Sequence, residues 1–231
     1  PICNSTGSLK VGRQIDTWFD LQGLVNTSGS NSFGFGNATS IMSNRASFTN
    51  LTGVASTGLA HIGTTTQNAT NSGASIGYFG GVSYTSPTIA GFQARVQTGN
   101  GKSAYADGID VGNGSAYGLT YTAGNLQVVH ASSWKNGTDG KKAWTNTVWG
   151  ANYKMGNTTL IAARNNTDFA GLAVANHNMT ATSVGVNRVV NAQVDANLSY
   201  TVLKDDVDSA NKFTQTAARS EEHTSELQSR E

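Results

Sequence analysis

The chain has 231 residues, enough for one large domain or two small ones, and its 15 Lys and Arg against 14 Asp and Glu leave a net charge of +1. Charged residues are only 13% of it, about half the usual ~25%, and Gly is 27 against 2 Pro, which excludes a charge-rich helical protein and a highly charged disordered one. A lone Cys3 excludes an internal disulfide framework and a multi-cysteine zinc site, and no apolar run reaches the ~18 residues of a membrane-crossing helix.

Taken in chain order, the pattern is a series of alternating runs. Residues 7–14 put Leu9 and Val11 on one face, with Ser8, Lys10 and Gln14 on the other. A long segment follows, 16–72, rich in Ser, Thr, Asn and Gly but holding Trp18, Phe19, Leu21, Leu24, Val25, Phe33 and Phe35. It is too long for an ordinary loop, and its apolar cluster predicts that it packs against something. Residues 74–86 place Ile76, Tyr78, Val82 and Tyr84 on one face, and 91–98 separate Phe92, Ala94 and Val96 from Gln93, Arg95 and Gln97. Residues 116–123 and 192–203 alternate in the same way, the second with Val194, Ala196, Leu198, Tyr200 and Val202 on its apolar side. Period-2 alternation marks strands with one wet and one apolar face. The runs 126–135, 146–154, 158–166 and 179–188 are noisier but have strand composition. The sum is about nine strands of roughly 8–13 residues. Ordinary strands have ~5–6 residues, and strands that cross a membrane need ~9–11.

The connections alternate too. Tight turns are expected at Ala123-Gly-Asn125, Met155-Gly-Asn157 and Val189-Val-Asn191, with a slightly longer one from Pro87 to Ala90. Between them lie polar stretches at 99–115, 136–145, 167–178 and from Lys204 onward. Short turns on one rim and long loops on the other describe an antiparallel transmembrane β-barrel, an all-β fold. Tyr84, Tyr121 and Tyr153 each stand on the apolar face just before a tight turn, where a tyrosine can keep its ring in hydrocarbon and its hydroxyl among headgroups. Arg188 takes the corresponding place on a later strand. An interfacial cation there costs only ~0–1 kcal/mol. In such a barrel the parity of Lys10 and Arg95 places them in the lumen, whereas Arg13 shares the Leu9/Val11 face and suits a loop root or a subunit contact.

Other chemistry finds little footing. Gly99-Asn-Gly-Lys-Ser103 resembles a phosphate loop, but such a loop needs a glycine where Val96 stands, and no helix-forming sequence follows. Asp107 and Asp110, and Asp205, Asp206 and Asp208, match no calcium-loop spacing. The histidines His61, His130, His177 and His223 are scattered, and no nucleophile, base and orienter set is present. Neither a catalytic residue nor a cofactor, metal or nucleic-acid site is expected. All four glutamates fall in 219–231, which reads as a translated sequencing adaptor and is set apart from the native 1–218. Without that tail Lys and Arg fall from 15 to 13 and Asp and Glu from 14 to 10, a net charge of +3.

The run GSLKVGRQIDTWFD, with its Gly12-Arg13 pair, resembles a strand and loop start of Gram-negative outer-membrane general porins, the beta-proteobacterial branch most of all. ASIGYFGGVSYTSPTIAGFQARVQ resembles the strand pair after the porin constriction loop, and SAYGLTYTAGNLQVVHASSW and WGANYKMGNTTLIAARNNTD resemble the next hairpins. The resemblance implies a sixteen-stranded barrel, usually trimeric, that passes small hydrophilic solutes through the outer membrane, of which this chain is an internal fragment. It further implies that 16–72 is the constriction loop, with Asp16 and Asp20 at its start as the acidic candidates, while the wall arginines that the family draws from earlier strands fall before Pro1 and are not carried over. Luminal cations favour anions, so mild anion selectivity is expected. A surface adhesin or β-solenoid is the competing expectation. It suffers from the lack of a short fixed repeat.

Overall fold

A computed structural model describes residues 2–4, 6–27, 78–100, 109–137, 142–169, 177–191, 194–205 and 212–222. They form one sheet of eleven strands in sequence order, each antiparallel to its neighbours. The strands are β1 (Ile2–Asn4), β2 (Gly7–Ile15), β3 (Tyr78–Thr85), β4 (Phe92–Asn100), β5 (Ile109–Ala123) and β6 (Leu126–Gly137). Then come β7 (Lys142–Met155), β8 (Thr158–Phe169), β9 (His177–Val189), β10 (Val194–Asp205) and β11 (Lys212–Glu222). One helix, α1 (Thr17–Gly23), follows β2.

All nine anticipated strands are present, and β1 and β11 add to them. The strands also run further than alternation suggested. β5 has 15 residues and β7 has 14, so the connections between β4 and β5, β6 and β7, and β8 and β9 shrink to 101–108, 138–141 and 170–176. Backbone pairing continues through polar residues such as Asp110, Asn136 and Asp168. The opposite rim is tighter. Gly124 and Gly156 open its two-residue turns at φ 56°, a left-handed conformation that a glycine adopts without strain and that suits two-residue hairpins.

Register sorts the side chains into two faces. Leu9 stands opposite Tyr84, Tyr84 opposite Val96, Phe92 opposite Tyr121 and Tyr153 opposite Leu160. This outer face is apolar and exposed, with Val11 75% and Trp149 56% accessible. The inner face carries Gln97, Asn146, Asn165, Thr167, Ser183, Ser199 and Thr201, all buried, mixed with small apolar residues such as Ala131 and Ala163. The arrangement inverts that of a water-soluble sheet protein, whose apolar face is the covered one.

β11 extends through Arg219–Glu222, which pair with Asn197, Ala196, Asp195 and Val194. Four residues of the stretch set apart as an adaptor thus continue an edge strand. Among the described residues β1 and β11 are the two edges of the sheet. Residues 28–72 of the long segment, Lys102, Ser103, Asp107, Asp206, Asp208 and 223–231 lie outside the described residues.

Candidate functional site

The chain leaves β2 and turns onto the inner face instead of returning as a hairpin. Asp16 causes the turn. Its carboxylate accepts the Trp18 N–H at 2.8 Å and caps α1, the usual role of an aspartate at a helix start. It also accepts the Ser133 hydroxyl of β6 at 2.6 Å. Thr17 donates its N–H and its hydroxyl to Gln97 Oε1 of β4, at 2.8 and 3.0 Å. Further along, Asn152 of β7 donates to the Leu24 carbonyl at 2.9 Å, and Asn197 of β10 donates to the Thr27 carbonyl at 2.7 Å. The segment 16–27 therefore crosses the inner wall from β4 to β10.

Glycines let it lie flat. A Cβ at Gly118 of β5 would strike the Leu21 side chain, one at Gly150 of β7 would sit 2.6 Å from Val25 Cγ2, and one at Gly185 of β9 would sit 2.7 Å from the Thr27 carbonyl oxygen. Trp18, Leu21 and Val25 are buried against this track. The apolar residues of the long segment that were expected to pack include these three. Phe33 and Phe35 lie outside the described residues.

The charged groups divide. Asp20, on the first turn of α1, forms an ion pair with Arg95 of β4. The two side chains stay 47% and 27% accessible, so the pair stands at the surface of the inner space. Lys10 is exposed on the same face, in register with Ser83. Arg13 falls in register with Gly80. Asp16 parts company with Asp20. At 1% accessible and bonded to Ser133, it is a buried cap, and the expectation of Asp16 as a residue lining the inner space is corrected. Spacing could not separate the two aspartates, because only the tertiary contact with β6 buries one of them.

Sequence reasoning missed Gln97, Ser133, Asn152 and Asn197 as the groups that hold the segment. Their parity with Arg95 was visible, but their bonds join residues 80 to 170 positions apart. On the other face, the three tyrosines lie near the strand ends that lead into the short turns. Tyr84 donates to the Thr6 carbonyl at 2.5 Å, Tyr121 packs on Phe92 with centroids 4.4 Å apart, and Tyr153 is 45% accessible.

No family model and no curated protein sequence matches the chain. Solved structures do. The anion-selective porin from Comamonas acidovorans is 17% identical with a TM-score of 0.68, over 94% of this chain and 59% of that one. The fold is porin-type. OmpT of Vibrio cholerae, an outer membrane protein, superposes with a TM-score of 0.56 as its loop L8 deletion mutant, at 14% identity over 92% of this chain and 63% of that one. Its in-vitro folded form gives 0.52 at 14%, over 92% and 59%. The chain spans about three-fifths of the length of the structures it matches. The porin-type wall explains the inverted faces, since a barrel in lipid is apolar outside and polar within. Among the described residues no three His, Cys, Asp or Glu side chains come together as a metal site would require.

Proposed function

We propose that this chain belongs to a Gram-negative outer-membrane porin, a water-filled pore for passive diffusion of small hydrophilic solutes and ions. One observation carries the reading. A segment folds against the polar inner face and sets Asp20 opposite Arg95, while the outer face is apolar and exposed. Such a charged element narrows a pore and filters ions by charge. It has no role in a protein that binds only by its outer surface. A closed barrel is the one sheet architecture that satisfies every backbone group in lipid, so the chain works within a larger barrel, as a homotrimer in contact with outer-membrane lipid. Residues 16–72 form its constriction loop, and Tyr84, Tyr121 and Tyr153 form the interfacial girdle. An adhesin or β-solenoid finds no support in a sheet whose strands all pair antiparallel with their sequence neighbours.

Mild anion selectivity follows from the cations on the inner face. Arg95 is held by Asp20, and Lys10 has no acidic partner among the described residues. The test is planar-bilayer conductance of the full-length barrel carrying this sequence. Ohmic pores whose reversal potential in a salt gradient shows anion preference are expected. Arg95→Glu should abolish the preference, and a complete lack of channels would refute the reading.

A further inference from the structure

The outer face from β6 to β11 holds an apolar groove of about 540 Å³, lined among others by Ala151, Tyr153, Leu160, Ala162, Val184 and Tyr200. An arginine stands two residues beyond the lining in each direction, Arg188 past Val186 and Arg164 past Ala162. Arg188 is in register with Thr158 at the short-turn end, and Arg164 is in register with Thr182 and Trp149 at the long-loop end. Both are exposed. From Thr158 to Arg164 the strand advances about 20 Å at ~3.3 Å per residue. Tilted as barrel strands are, this gives an apolar height of about 15 Å, against the ~25 Å of an ordinary outer-membrane band.

Arg164 therefore stands within the hydrocarbon level of one leaflet. An unpaired cation at the midplane of such a wall is costly, ~2–4 kcal/mol. Its neighbours on this face are Trp149, Ala162, Thr182 and Asn166, with no carboxylate among them. The guanidinium leans away from the groove, its Nε donating to Asn166 Oδ1 at 3.4 Å, as a cation reaching for the headgroup layer would. Beside it, Trp149 stacks on His130 with centroids 3.7 Å apart.

We propose that this groove is a specific lipid site. An acyl chain lies along Ala151, Ala162 and Val184, and a headgroup of net negative charge places its phosphate on Arg164. A phosphate meets the planar guanidinium in two parallel hydrogen bonds, Thr182 and Asn166 offer further polar contacts, and the short apolar band accommodates a headgroup drawn inward. The proposal rests on the lipid-facing reading of the outer wall.

Trp149 reports on both. The full-length barrel is reconstituted with acyl-brominated phosphatidylglycerol or acyl-brominated phosphatidylcholine at equal mole fraction. Quenching due to Trp149 is taken as the difference from Trp149→Phe. The anionic lipid is expected to be enriched about fivefold over the zwitterionic one, the effect of one cation near a charged lipid. Arg164→Gln should abolish the enrichment, and Arg164→Lys should retain most of it. Equal quenching by the two lipids, or a preference unchanged in Arg164→Gln, overturns the proposal while leaving the lipid-facing wall intact. Absence of quenching by either lipid refutes the lipid-facing wall and the site with it.

Discussion

Asp20 and Arg95 are in direct contact on the inner face, and in the proposed pore their pairing sets what each contributes to ion flow. A guanidinium beside a carboxylate presents little net field to a passing ion. Asp20→Asn should therefore raise anion preference, by freeing Arg95, whereas Arg95→Glu reverses the local charge. Reversal potentials of the two variants in the same salt gradient should move in opposite directions from the parent. Lys10→Ala should lower anion preference without affecting the Asp20–Arg95 pair. Asp16 behaves differently. Asp16→Ala removes a helix cap and leaves the Ser133 hydroxyl without its acceptor, a loss of about 1–3 kcal/mol. The expected outcome is noisier conductance as the segment loosens, read as open-channel fluctuation, with a lower denaturation midpoint. Parity made the strand face that carries Lys10 and Arg95 legible in the sequence. The Asp16/Asp20 distinction was illegible, since four residues of spacing carry no record of which carboxylate meets Ser133.

At the scale of elements, the glycine track is what allows α1 and its extension to lie against the wall. Gly118, Gly150 and Gly185 occupy inner positions on β5, β7 and β9, and a side chain at any of them would lift the segment. Gly150→Val should displace Val25 at a cost of about 1–3 kcal/mol. Conductance of the full-length barrel should change while strand content, followed by circular dichroism, stays near that of the parent. The strands themselves were legible because a wall between water and lipid forces strict alternation, as in Phe92, Ala94 and Val96 against Gln93, Arg95 and Gln97. Their ends were not. Beyond the apolar zone, as at Asp110 or Asp168, pairing rests on backbone hydrogen bonds alone, and polar strand reads as polar loop. α1 was illegible for another reason: seven residues carry too few turns for a helical period to emerge.

On the scale of the whole molecule, the inverted distribution of polarity governs handling. The full-length barrel should require detergent for extraction and should migrate differently in gels before and after boiling, since the closed sheet resists detergent until heated. Identical mobility with and without heating would contradict the barrel. Among the described residues β1 and β11 are the sheet's edges, and lipid does not tolerate unpaired edge backbone. The 231-residue chain by itself should accordingly aggregate or remain outside bilayers, and recovery in the aqueous phase as a stable monomer would count against this account.

The meander also sets an order in time. Each described strand pairs only with the strands next to it in sequence, so every hairpin except β2–β3, whose strands are separated by residues 16–77, closes a short loop and needs nothing made later. The segment 16–27 is a further exception, because Thr17 waits for Gln97 and Thr27 waits for Asn197, 170 positions away. Loop-closure entropy makes such distant contacts late ones. The wall should assemble first as an open passage, and the narrowing element should dock last. A slow final phase, seen as declining conductance after insertion rather than as growing strand signal, would be its kinetic signature.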